Sequence, residues 1–166
     1  MAHIEAKLRT LGLVLPAPLV LPPGVTLPFP WVRVHGNRAY VSGHAGQNPD
    51  GSLAGPLGKV GLDLTLDQAK QAARLTALSI LASLKRELGD LDRIAAWLRV
   101  FGMVNCAAGF RETPAVINGF TELIVELYGP TRGLHARSAV GMAELPFGIP
   151  VDIEAEVAID APPGAA

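Results

Sequence analysis

The run from Val151 to Ile159 constrains this chain more than any other stretch. Val151, Ile153, Ala155, Val157 and Ile159 alternate with Asp152, Glu154 and Glu156, so a strand of this sequence has one apolar and one acidic face. Such a strand needs a second layer over its apolar side. Two helical patterns supply it. Thr65 opens the longer one, Gln68 stands three residues on to complete a capping box, and Gly89 ends it. Within it Ala73, Ala77, Ile80, Leu84 and Leu88 draw one apolar stripe. The second helix is announced by Thr113-Pro114, a hydroxyl cap followed by proline at the first helical position. It buries Val116, Phe120, Leu123 and Leu127, and Gly129-Pro130 stops it.

Two short strands are predicted within 31–42, joined through Gly36-Asn37, which tolerate the positive φ of a tight turn. Residues 43–61 carry the turn signal Asn48-Pro49-Asp50-Gly51 and read as a long loop, a kind of segment that is often functional. Strand-forming residues follow over 91–105, and 136–159 reads as two strands around Leu145-Pro146-Phe147-Gly148. The order β-β-α-β-α-β-β defines an α+β domain, a mixed sheet with both helices on one face. If the last two strands pair as a hairpin about Phe147-Gly148, Arg137 lies opposite Ala158 and Asp152 opposite Ala143. Arg137 and Asp152 are then roughly 20 Å apart.

At the start of the chain Ile4, Leu8 and Leu11 recur at helical spacing with Gly12 placed to cap, and Pro16 and Pro18 dictate an extended arm. Those prolines also break an apolar run that would otherwise resemble a secretory signal. The apolar stretch 72–84 is interrupted by Arg74 and is shorter than the ~20 residues of a membrane span, so no membrane segment is expected. The chain divides into a helix and proline-rich arm (1–28), one domain (29–160) and a flexible tail (161–166).

Charge narrows the function classes. Fourteen basic against 15 acidic side chains give a net charge of −1, which creates no field toward phosphate backbones or anionic lipid. The single cysteine, Cys106, excludes an intramolecular disulfide or multi-cysteine metal site and fits a reducing compartment, with the cytoplasm as the expectation. No phosphate-binding loop, dinucleotide fingerprint or metal-ligand spacing is present, so no cofactor and no metal are expected. A hydrophobic fraction of 49% in a two-layer domain predicts that the uncovered sheet face meets another subunit.

Several motifs fall together from Phe29 to Ile159: Val41-Ser42-Gly43, Asn118, His135-Ala136-Arg137-Ser138-Ala139-Val140, Glu144-Leu145-Pro146 and Val151-Asp152-Ile153-Glu154-Ala155. With them the chain resembles the YjgF/RidA reactive-intermediate deaminases, and the first 28 residues resemble the extension of the longer YjgF-like branch. The resemblance implies a chorismate-mutase-like fold and a homotrimer with sites between subunits. It also implies hydrolysis of 2-imino or enamine acids to 2-oxo acids and ammonia. Arg137 falls on the arginine that in the family binds the substrate carboxylate. Asp152 falls where active members carry a glutamate implied to activate water, so the carboxylate stays but is one methylene shorter. Ser42 and Gly43 end a strand just before the long loop, where main-chain N–H groups and a hydroxyl can meet a ligand, and Asn118 resembles the family's helix asparagine near the pocket. Ala139 stands where many members have cysteine. Phe29 or Trp31 stands where a tyrosine often lines the site.

Read by their own chemistry, these residues have plainer roles as well. Arg137 either holds an anion or pairs with Glu154 or Glu156. Asp152 belongs to an acidic strand face, Ser42-Gly43 is ordinary turn chemistry, and Asn118 an exposed helix amide. Cys106 reads as a small buried hydrophobe, and His44 and His135 as surface or structural histidines. Two other functions remain beside imine hydrolysis. One is non-catalytic binding of small carboxylates. The other is a ribonuclease or translation inhibitor, which 5% aromatic residues and the absence of a basic excess oppose.

Overall fold

The computed structural model describes residues 3–160. Its elements are α1 (His3–Thr10), β1 (Val32–His35), β2 (Arg38–His44), α2 (Leu66–Leu88), β3 (Ile94–Asn105), α3 (Thr113–Gly133), β4 (Ala136–Met142) and β5 (Val151–Ile159). Short 3-10 turns occupy Leu91–Arg93 and Pro146–Gly148. The five strands make one mixed sheet in the order β1-β2-β5-β3-β4, and α2 and α3 pack side by side over one face. This is the β-β-α-β-α-β-β arrangement of the α+β class that the pattern predicted. The proposed tail, 161–166, lies outside the described residues.

The last strand is the middle of the sheet. β5 pairs antiparallel with β2 on one side and with β3 on the other. Its Val151, Ile153 and Val157 are fully buried against the helices, while Asp152, Glu154 and Glu156 lie on the helix-free face. β4 pairs with β3 instead, in parallel, because α3 carries the chain back along the sheet before β4 begins.

The C-terminal hairpin expectation is therefore overturned, since β3 lies between β4 and β5. Arg137 is in register with Val100, and Val100 with Ala155, three positions from Asp152. Two strand spacings and three residue rises separate the two by about 14 Å rather than 20 Å. They also point to opposite faces.

The helices form as their caps dictate, with two exceptions. The Thr65–Gln68 capping box is present, Gly89 closes α2 at φ 79°, and the predicted stripe of α2 is buried. In α3 Val116, Phe120, Leu123 and Leu127 are all completely buried, and Gly129 breaks the helical path at φ 73° before one more turn. Thr113 does not cap α3. The helix already includes Thr113, Glu112 holds the capping position, and the Thr113 hydroxyl donates to the carbonyl of Ala139 at 3.1 Å. In α1 Ile4 and Leu8 enter the core, but Leu11 is 42% exposed because the chain unwinds at Gly12 (φ 66°). The proline-rich arm then runs against the long loop, Ala17 donating to Pro49 and Val20 to Gly51, each at 3.0 Å.

The crossing of α2 and α3 is set by one glycine. A Cβ at Gly119 would collide with the backbone carbonyl of Lys70 on α2. Gly119→Ala gains about 1 kcal/mol of helix propensity but incurs an overpacking penalty of 1–3 kcal/mol or more against backbone that cannot rotate away. The clash is with backbone, so the upper end of that penalty applies and a net destabilisation of about 2 kcal/mol is expected, to be read by urea unfolding.

Candidate functional site

The residues singled out above gather in two places rather than one. The first lies where β2 ends beside β5. Register shifts between Val41 and His44, leaving Ser42 and Gly43 in a bulge. The Ser42 hydroxyl donates to the Pro30 carbonyl at 2.9 Å, and its N–H to the Trp31 carbonyl at 3.0 Å, which anchors the segment carrying Phe29 and Trp31 next to the bulge. Phe29 is 47% exposed and meets Trp31 edge-on at 5.9 Å. The Asp152 carboxyl packs on the bare α-carbon of Gly43, where any added Cβ would stand 3.0 Å from its Cγ. Its Oδ1 is buried with no hydrogen-bond partner. Burial, and then the charge of Glu154, push its pKa up to about 6. Such a carboxyl exchanges protons near neutral pH, which suits a general acid or base.

His44 braces this bulge from the core side. A carbonyl only accepts, so its Nδ1 must donate to Ser42 (2.6 Å), and the Nε2 of the neutral ring then accepts from the Ser83 hydroxyl at 2.8 Å. Arg86 donates to the same Ser83 oxygen at 3.0 Å and to the Pro16 carbonyl at 3.2 Å. Trp31 covers the ring at 4.9 Å. His44 is thus a buried structural histidine that ties β2, α2 and the arm together.

The second place is the outer edge of the sheet. Arg137 on β4 turns to the helix side, and its Nη1 donates to Asn118 Oδ1 (2.9 Å) and Thr121 Oγ1 (3.0 Å) on α3. Nη2 reaches the Pro114 carbonyl at 3.4 Å. The alternative of an ion pair with Glu154 or Glu156 does not form: both acids are on the opposite face, and Glu156 pairs with Arg38. Among the described residues Arg137 enters no ion pair, and its Nε has no partner. Ala139 lies two residues on along the same face, its side chain against the core. Cys106 stands beside Gly141, where it would touch an added Cβ at 2.8 Å, and is partly exposed rather than fully buried. Sequence reasoning missed Thr121, whose signal is its i+3 spacing from Asn118 on one helix face.

One chain therefore unites Phe29, Ser42, Gly43 and Asp152, and separately Arg137, Asn118 and Ala139. It does not join the two groups.

A family model described as "YjgF/chorismate mutase-like, putative endoribonuclease" matches residues 32–149, most of the chain. The chain belongs to this family, the YjgF/RidA proteins. Protein TCP17 of Trypanosoma cruzi is 35% identical over 158 residues, 95% of each chain. Among solved structures, Atu1372 of Agrobacterium tumefaciens, of unknown function, superposes with a TM-score of 0.84 at 39% identity, over 96% of this chain and 94% of that one. A Shewanella oneidensis protein with the same endoribonuclease description gives 0.83 at 26%, over 94% of this chain and 99% of that one. The similarity to these relatives thus extends well beyond the segment that the family model spans. No helix among the described residues is long and apolar enough to cross a membrane.

The His44 brace predicts an acid-sensitive fold. Burial, with the Arg86 charge adding to it, lowers its pKa from 6.5 to about 4. Between these values the unfolded chain binds more protons, so this stabilisation is complete above about pH 6.5 and is lost as pH falls through about 4. The loss amounts to about 3 kcal/mol. Urea unfolding at pH 7, 5.5 and 4 should show that slope in the wild type and a flatter one in His44→Gln.

Proposed function

We propose that this protein hydrolyses small 2-imino acids at sites completed between the subunits of a homotrimer. Arg137 carries the reading. A half-buried guanidinium held only by neutral oxygens, with an unpaired Nε–H, is a socket for a carboxylate approaching side-on. Family membership supplies the class of substrate.

Asp152 cannot assist Arg137 of its own chain, since the sheet lies between them. A neighbour docking its β4 edge over the helix-free face brings its Arg137 within reach of this Asp152 and covers Tyr40 and Phe101 on that face. In the completed site the imino acid lays its carboxylate on Arg137. Asp152 takes a proton from water as the water oxygen bonds to the imine carbon, and the C=N π electrons become a nitrogen lone pair. Asp152 returns that proton to the nitrogen to give the tetrahedral carbinolamine, whose O–H proton then passes through Asp152 to the amine as the carbonyl forms and the C–N bond breaks, releasing ammonia and a 2-oxo acid. Ser42 and main-chain groups of the bulge hold the developing amine.

Non-catalytic carboxylate binding is the second reading, favoured by the shortened acid: Asp152 is drawn back onto Gly43, away from open space. A coupled assay that generates enamines from amino acids decides between the two. Faster disappearance of the imine with protein present supports hydrolysis, whereas benzoate or pyruvate binding without turnover supports the binding module. Cleavage of RNA that survives Arg137→Ala would overturn both.

Two variants test the site. Arg137→Ala should abolish benzoate binding in calorimetry while leaving the unfolding midpoint nearly unchanged, because no core cavity opens. Arg137→Ala and Asp152→Ala chains should each be inactive alone. Refolded together at equal ratio, each mixed trimer holds one intact interface, which restores about a quarter of the sites. Activity that stays at zero in the mixture would overturn the reading of a site shared between Arg137 of one subunit and Asp152 of the next.

A further inference from the structure

Resting on that reading of Arg137, we propose that His135 is a positioning residue that aims the guanidinium through the hydroxyl of Thr121. His135 precedes Arg137 by two residues on the approach to β4, with its ring edge-on to Phe120 at 6.0 Å. Its Nδ1 lies 2.8 Å from the Gly133 carbonyl and its Nε2 3.1 Å from Thr121 Oγ1. The carbonyl only accepts, so Nδ1 carries the proton and Nε2 of the neutral ring accepts the Thr121 hydroxyl proton. With that proton committed, the oxygen of Thr121 is left as an acceptor for Arg137 Nη1 at 3.0 Å.

Without His135 the Thr121 hydroxyl has an ordinary alternative. A helical threonine readily donates to the carbonyl four residues back, here Ile117. Its oxygen then turns along the helix and Arg137 keeps Asn118 as its main anchor. One anchor fixes a point and two fix a direction. The pair Asn118 and Thr121 holds Nη1 and leaves the Nε edge to a carboxylate.

Protonation of His135 undoes the arrangement from the other end. Both ring nitrogens would then donate, the Thr121 proton would lose its acceptor, and a second positive charge would stand beside Arg137. Arg137 is the charged group that faces the ring. Glu122 of α3 is turned to Lys70 at 2.8 Å, Arg132 is bonded to the Asp92 and Ile94 carbonyls, and Arg99 of β3 is on the helix-free face. Burial, and then the Arg137 charge, hold the His135 pKa below its ordinary value despite the bond to Gly133.

Two measurements test this. The first uses the ligand-free protein. Nitrogen-15 NMR of the histidine rings should show the Nδ1–H tautomer at His135, and its titration should move to higher pH in both Thr121→Val and Arg137→Gln. A ring protonated on Nε2, or a titration unmoved in both variants, overturns the proposal. The second is calorimetric binding of benzoate from pH 5 to 8. Wild-type affinity should fall as His135 gains its proton, His135→Phe should bind about tenfold more weakly than the wild type at pH 8 with the gap closing as pH falls, and His135→Gln, which retains an acceptor for Thr121, should recover most of the affinity and lose the part of the pH dependence that is not due to Asp152. Equal affinities for wild type and His135→Phe overturn the proposal. If the NMR linkage is present and the wild type binds no benzoate, the carboxylate role of Arg137 falls while the His135–Thr121–Arg137 linkage stands.

Discussion

The insertion of β5 between β2 and β3 is the constraint from which the rest of the structure follows. β2 belongs to the N-terminal hairpin and β3 to the unit that α3 closes with β4, and neither pairs with the other. Only the last strand joins them, by hydrogen bonding to both. Its apolar side must then lie under the α2–α3 layer across its whole length, which is why the alternation from Val151 to Ile159 is so regular. Its acidic side is left on the face without helices. The position of Asp152 on that face is a consequence of this one insertion.

The same fact separates what the sequence could show from what it could not. Periodicity reports which face a residue takes, so the stripes of α2, α3 and β5 were legible, as were the Thr65 capping box and the Gly36-Asn37 turn. Periodicity is silent on neighbours. β4 and β5 are adjacent in the chain and separated by a turn-rich stretch, and the hairpin expectation followed; nothing in the local pattern reveals that β3 takes the place between them. The bulge at Ser42-Gly43 was invisible for the same reason, since it exists only relative to the register of β5. Thr113 failed as a cap because the helix already includes it and Glu112 takes the capping position; its hydroxyl instead donates to the distant Ala139 carbonyl.

The two halves of the candidate site are supported in the same manner. At each, a histidine donates from Nδ1 to a main-chain carbonyl two residues away, accepts a hydroxyl proton on Nε2, and so turns the hydroxyl oxygen toward an arginine. His44, Ser83 and Arg86 do this beneath the bulge; His135, Thr121 and Arg137 do it at the sheet edge. Both rings are read as neutral, and both sit where burial disfavours charge. In sequence they were two unassigned histidines. The shared logic appears only when the hydroxyl each ring needs, Ser83 on α2 or Thr121 on α3, is in place.

The shorter acid at 152 fits this geometry better than its loss of a methylene suggests. A bulge bends its strand and brings the backbone of β2 close to β5, and glycine at 43 removes the only side chain that would fill the gap. The Asp152 carboxyl occupies that gap with one oxygen buried and unpaired, a state that disfavours its charge in the isolated chain. In the proposed trimer a guanidinium delivered by a neighbouring subunit would oppose that penalty, because an adjacent cation favours the ionised carboxyl. Under that proposal assembly and the protonation of Asp152 would be linked: the chain alone holds a weak acid, and the completed interface would hold a stronger one. On this view the arginine and the aspartate are each incomplete by design of the sheet, and the partner each lacks is the charge that the other carries.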